Sequence, residues 1–163
     1  LALNCYLTVK ISYANSIGDL AIRAGADPDK ILAAVGADSR IGSKYLKYGF
    51  GYGGPCFPRD NKAIINYSNR LEMMLPLNIA ADRVNTEHLE FQVANFLSSG
   101  QEEYYTDSVT YKKGTTILEK SQQLEFATRL ADNGIRVTIQ EEPHIVELLK
   151  EEYGEKFQYE YRK

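Results

Sequence analysis

The chain reads as an α/β protein in two parts. An all-α domain over residues 1–98, suited to pairing two copies, precedes a small parallel three-layer α/β domain over residues 99–163. Three observations predict this. Residues 1–97 read as helices around one long loop. Ser98-Ser99-Gly100-Gln101-Glu102-Glu103 is a linker by composition. Beyond it, strand-like runs alternate with helical ones in the order βαβαβ, which implies a parallel sheet with right-handed crossovers.

Residues 1–24 are apolar or small on several faces, which suits a helix covered on most sides. One small domain cannot cover that much, so this helix is expected to pair with a second copy. Gly25 stops it, and Asp27 caps a short helix opened by Pro28 and running to about Val35. Residues 37–57 form a long loop. A second helix covers about 58–71 and a third runs from about Leu77 to Leu97. In the second domain a strand is expected near Ser108–Tyr111 and a helix near Glu119–Asn133, stopped by Gly134. A strand over Ile135–Ile139, a helix over Pro143–Tyr153 and an alternating strand over Phe157–Tyr161 complete it.

Composition excludes several classes. The 163 residues are 44% hydrophobic with a net formal charge of -3, so no basic excess points to nucleic acid. No apolar run approaches the length of a membrane span, and no signal-like leader is visible. Two distant cysteines fit a reducing, cytoplasmic setting better than a disulfide framework. His88 and His144 lie apart among charged residues and read as solvated, with no metal-ligand cluster.

The chemistry concentrates in Gly49-Phe-Gly-Tyr-Gly-Gly-Pro-Cys-Phe-Pro-Arg-Asp60. Cys56 ends a glycine-rich loop just ahead of a helix start. Pro58 fits the first helical position, and Asp60 sits in the first turn, where negative charge is favoured. A thiol there, beside Arg59, is expected to be richer in thiolate, the nucleophilic form. Gly49, Gly51 and Gly54 also match the G-x-G-x-x-G dinucleotide pattern. That motif needs a preceding strand and a helix opening through its last glycine, whereas Pro55 and Pro58 follow at once.

This stretch resembles the catalytic-cysteine signature of the nucleotide-sugar 6-dehydrogenases, the UDP-glucose dehydrogenases with their GDP-mannose and UDP-N-acetylhexosamine relatives. Asn4 to Asn15 is similar to the family's central helix. Gly25-Ala26-Asp27 with Asp38-Ser39-Arg40-Ile41-Gly42 is similar to its next landmark, and Asn85 falls in a helix like the end of the central domain. Tyr111-Lys112-Lys113-Gly114-Thr115 more weakly resembles the start of the C-terminal domain.

The resemblance implies NAD as cofactor and a four-electron oxidation at the sugar C6, through a cysteine thiohemiacetal and thioester. Cys56 would be the nucleophile, Asp60 would position the hydrolytic water, and Asn4 would hold intermediate oxygens. Arg40, Tyr45, Lys47, Tyr52, Gly53, Phe57 and Ile11 would meet the nucleotide-sugar, together with Tyr111 and Lys112 from the C-terminal domain. Arg59 would touch the cofactor. UDP-glucose leads as substrate, with UDP-N-acetylhexosamine and GDP-mannose as alternatives, and a homodimer is implied.

Read from residues alone, Asn4 equally suits a buried amide tying two helices, Arg40 an exposed salt bridge, and Arg59 a solvated helix charge. The family's Rossmann domain and its lysine four residues before Asn4 are expected to lie ahead of Leu1, so the isolated chain is expected to be inactive. Glu119 stands where the family usually has an arginine near the cofactor, and Pro55 where it often has serine. A non-catalytic dimerisation and substrate-binding module is the alternative reading. An unrelated cysteine enzyme would need a base beside the thiol, and neither histidine has a local motif tying it to Cys56.

Overall fold

The structure, a computed structural model, describes residues 1–162. The chain divides into two compact units, Leu1–Phe91 and Gln92–Lys163. The first holds α1 (Ala2–Arg23), α2 (Pro28–Gly36), α3 (Phe57–Arg70) and most of α4 (Pro76–Ser98). The division falls inside α4 and not at the polar Ser98–Glu103 stretch, because Phe96 stacks edge-on against Tyr104 and Phe126 of the second unit.

The first helix is built inside out. Its buried positions are Cys5, Thr8, Ser12, Ala14, Asn15, Gly18 and Ala21, small or polar residues that let neighbouring backbone approach closely. Its large apolar side chains face outward: Leu3 is 70% exposed, Tyr6 63% and Leu20 64%. The buried polar groups find partners across the unit. Ser12 Oγ donates to the Ala81 carbonyl of α4 at 3.1 Å. Gly18 lies under the Tyr48 ring, where an added Cβ would fall 1.9 Å from a ring carbon. Ala14, Leu32 and Leu46 form a small core there, flanked by Ile17, Val35 and Tyr48. Asp27 caps α2 as expected, accepting the Asp29 and Lys30 amides at 3.0 and 3.2 Å.

The second unit contains β1 (Glu103–Thr106), α5 (Gln122–Asp132), β2 (Arg136–Glu141), α6 (Pro143–Tyr153), a 3-10 turn at Gly154–Lys156 and β3 (Gln158–Tyr161). The strands pair in parallel in the order β1-β2-β3. Val137 and Ile139 on the central strand are buried with Leu124, Ala127 and Leu130 of α5 and with Ile145, Val146 and Leu149 of α6. The α/β expectation holds, and so does the parallel βαβαβ order.

The first strand lies elsewhere than expected. It is formed by Glu103–Thr106, not by Ser108–Tyr111. Tyr104 supplies the reason, because its ring closes a cluster with Phe96 and Phe126, at 5.2 Å from the latter. Ser108–Tyr111 is instead tied into a loop. There Ser108 Oγ and the Val109 amide donate to buried Glu141, and Thr110 Oγ1 donates to the Lys112 carbonyl. Ser121 Oγ caps α5 at the Leu124 amide, so that helix begins later than Glu119. No helix among the described residues is long and apolar enough to cross a membrane.

Candidate active site

The site in the first unit grows from the start of α3. Gly54, at φ +76, turns the loop in a conformation that side chains disfavour. Cys56 then occupies the N-cap of α3, one residue earlier than expected, with Phe57 and Pro58 opening the helix. Its carbonyl accepts the Asp60 amide at 2.8 Å, so thiol and carboxylate belong to one turn. Cys56 is exposed, whereas Cys5 is buried. The two thiols are thereby set apart. Burial, followed by the Asp60 charge, pushes the Cys5 thiol up, and its Sγ donates to the Asp60 carbonyl at 3.4 Å.

Asp60 is held by three hydrogen bonds from two side chains. Its Oδ2 accepts Asn4 Nδ2 at 2.7 Å, and its Oδ1 accepts Arg59 Nε and Nη2 at 3.2 Å each. The Asn4 amide first, and then Arg59, hold its carboxyl below the usual carboxylate range. Asn4 therefore ties α1 to α3 through the carboxylate. The next residue, Asn61, is completely buried and fixes the helix beneath. Its Nδ2 donates to the Asn78 carbonyl at 3.0 Å, and its Oδ1 accepts Asn78 Nδ2 at 2.9 Å and Thr8 Oγ1 at 3.3 Å.

The glycine loop is pinned from two helices. Asn15 Oδ1 of α1 accepts the Gly49 amide at 3.2 Å. Asn85 of α4 accepts the Tyr52 amide at 2.8 Å and donates to the Tyr52 carbonyl at 3.0 Å. The Tyr52 ring is buried and its hydroxyl donates to Asp82 at 3.0 Å. Burial, then the Asp82 charge, holds this phenol well above its ordinary range. Tyr52 thus anchors the loop through its side chain as well as its backbone.

His88 corrects an expectation. His144 is half exposed beside Glu142, but His88 is only 2% exposed and lies between Asp19 and the Gly49 carbonyl. A charged sequence neighbourhood says little about a helix face that packs on another element. The signal was the spacing. Asp82, Asn85 and His88 recur every third residue, which places all three on one side of α4. Sequence reasoning missed that face, along with Asp19 and Tyr48.

The remaining expected residues sit as follows. Tyr45 and Phe57 come together, with ring centroids 6.3 Å apart at 70°, and Tyr45 adopts φ 61, an uncommon backbone state for a residue with a side chain. Lys47 is exposed, and Gly53 and Ile11 are half buried. Beside Ile11, Lys10 Nζ donates to the Ile41 and Gly42 carbonyls at 3.1 Å, which fixes the turn after Arg40. Arg40 is 86% exposed and folds back on Asp38, with its closest contact at 2.6 Å. Tyr111 and Lys112 lie in the second unit, in the loop after β1, where the Tyr111 amide donates to Ile117 at 3.0 Å. Glu119 is exposed in the same loop. No cluster of three or more His, Cys, Asp or Glu among the described residues could hold a metal ion.

A helical unit that presents an exposed thiol over a bonded carboxylate, followed by a parallel α/β unit, defines a two-unit α/β protein with a candidate covalent site. The chain belongs to the UDP-glucose/GDP-mannose dehydrogenase family, whose central domain matches residues 1–87. It is 31% identical over 140 residues to the UDP-glucose 6-dehydrogenase YwqF of Bacillus subtilis, covering 83% of this chain and 32% of that protein. Over 64 residues it is 50% identical to the UDP-glucose 6-dehydrogenase TuaD of the same organism, covering 39% of this chain and 14% of that one. A UDP-glucose dehydrogenase structure from Pyrobaculum islandicum superposes with a TM-score of 0.84 at 32% identity, covering 98% of this chain and 38% of that chain. The chain thus spans about a third of the length of such relatives.

Proposed function

We infer that this chain carries the covalent site of an NAD-dependent nucleotide-sugar 6-dehydrogenase, which oxidises a sugar C6 alcohol to a carboxylate with UDP-glucose as leading substrate. The observation that carries the reading is the single turn at the start of α3, where exposed Cys56 precedes an ionised Asp60 held by Asn4. The names of the family and of the relatives give the substrate class.

NAD, when bound, supplies the hydride acceptor for both oxidations. The residues present fit such a group at one point. The Arg59 side chain is 69% exposed in the turn that holds Cys56 and Asp60, a cation open to an anionic ligand. The chain's own residues do the rest. The Cys56 thiolate adds to the aldehyde carbon, forming a C–S bond, and Asn4 donates to the resulting oxygen. After the second oxidation, water directed by Asp60 attacks the thioester, the C–S bond breaks, and carboxylate and thiol are released. Tyr45 and Phe57 form an aromatic edge beside the nucleophile, Lys47, Gly53 and Ile11 border the sugar, and Tyr52 holds the loop. Arg40, from the neighbouring subunit of a homodimer, offers a guanidinium to hydroxyl and phosphate oxygens of the nucleotide-sugar, and Tyr111 and Lys112 are assigned to substrate binding within the second unit.

We also assign the exposed stripe of Leu3, Tyr6, Tyr13 and Leu20 on α1 to a homodimer interface. Two unpaired thiols suit a reducing cytoplasm. Incubation of the full gene product with NAD and a panel of nucleotide-sugars, read by NADH absorbance and product mass, tests the reading. UDP-glucose is expected to yield the uronic acid with two NADH per sugar. A different active nucleotide-sugar would correct the substrate, and no NADH from any of them would remove the reading.

A further inference from the structure

The geometry points to His88, held between Asp19 and the Gly49 carbonyl, as the residue that positions the loop delivering Cys56. This role rests on Cys56 being the nucleophile.

The ring is sequestered, and both its nitrogens face acceptors. Nε2 lies 2.6 Å from the Gly49 carbonyl oxygen, which only accepts, so Nε2 carries a proton. Nδ1 lies 2.9 Å from both oxygens of Asp19. That carboxylate also accepts the Tyr48 hydroxyl at 2.8 Å, so it is held against the ring from a second side. The titratable groups facing the ring are Asp19 on α1 and Tyr48 in the loop, the latter edge-on at 5.5 Å. Burial, then its bond to Asp19, holds the Tyr48 phenol well above its ordinary range, so it stays a donor.

The consequence falls on the loop. Gly49 is gripped at its amide by Asn15 and at its carbonyl by His88. From there to Cys56 the chain passes through Gly51, Gly53 and Gly54, residues that impose little conformation of their own. Order in this segment must come from outside. The Asn85 clamp at Tyr52 fixes its middle, and the short His88 bond to the Gly49 carbonyl fixes its entry. Loss of that bond lets the first half swing while the helices stay packed.

The test compares two variants. His88→Gln can still donate to Gly49, but its amide oxygen then faces the Asp19 carboxylate. Combining it with Asp19→Asn restores a neutral chain, in which the amide at 19 donates to the oxygen at 88 and the amide at 88 donates to Gly49. Amide exchange of the 163-residue chain should show protection over Gly49–Gly53 falling about tenfold or more in His88→Gln and returning in the double variant. In the full gene product, His88→Gln should lower kcat about tenfold to a hundredfold with little change in KM, and the double variant should recover most of it. Melting curves check that each variant folds. Unchanged loop protection in His88→Gln, or a folded double variant that fails to recover, would each overturn the proposal. If Cys56 proves not to be the nucleophile, the kcat arm fails while the exchange arm still reports the loop contact.

Discussion

Cys56→Ser in the full gene product is expected to lower turnover roughly a thousandfold or more, the scale of losing a covalent nucleophile. The structure makes this substitution clean. Cys56 is the N-cap of α3 in helical backbone angles and makes no side-chain capping bond, so a near-isosteric serine removes no cap contact. The variant should therefore fold as well as the parent, with an unchanged Tm. Its defect is chemical, because a hydroxyl forms no useful anion at neutral pH and yields an ester where a thioester is needed. Normal turnover by a folded Cys56→Ser variant would make the thiol structural. Cys5 offers the contrast. Its thiol is buried against the Asp60 carbonyl, so an alkylating reagent should label Cys56 and spare it.

The helices were legible where capping chemistry is local. Asp27-Pro28 writes its helix start into adjacent residues, and the cap bonds are present, whereas Ser121 is the cap that an expected start at Glu119 passed over. The first strand was not legible, because what makes Glu103–Thr106 a strand is distant. Tyr104 packs on Phe96 and Phe126, and the Arg136 amide donates to the Glu102 carbonyl at 2.9 Å. Two glutamates in a row look like linker until an edge position leaves alternate side chains in solvent. Ser108–Tyr111 has the opposite history. Its β-branched residues look extended, but Glu141 and Lys112 take up its hydrogen bonds.

The site divides in the same way. Cys56 and Asp60 are four residues apart at a helix start, and that spacing alone puts them on one turn. The Asn4–Asp60 bond spans 56 residues of sequence and appears only when α1 crosses α3. The face of α4 that holds the loop was visible as a three-residue spacing but carried no meaning until its partners were known. Asp82 and Asn85 meet Tyr52, and His88 meets Gly49 and Asp19. Such residues act on backbone, and backbone leaves no signature in a sequence.

Asp60→Asn separates the two halves of the reaction. The substitution is nearly isosteric, and its amide oxygen can still accept from Asn4, so the α1–α3 tie survives. What it loses is charge. Asp60 lies below the usual carboxylate range because Asn4 and then Arg59 stabilise the anion, so the parent site stays ionised throughout neutral pH. The sign follows. That favourable contribution is present above the ordinary aspartate range and is lost only as pH falls through the lowered value, so activity near pH 7 should not respond to Asp60 titration. The amide cannot draw a proton from water, and its N–H groups would face the Arg59 donors that the carboxylate accepted. Hydrolysis should slow about a hundred- to ten-thousand-fold, the usual scale of general-base assistance, while the first oxidation changes far less. Acyl-enzyme should then accumulate on Cys56 and appear as added mass on quenching, with a burst of NADH ahead of a slow steady state. If Asp60→Asn loses activity with no trapped adduct and no burst, the carboxylate serves an earlier step, and the division of labour between these two residues must be redrawn.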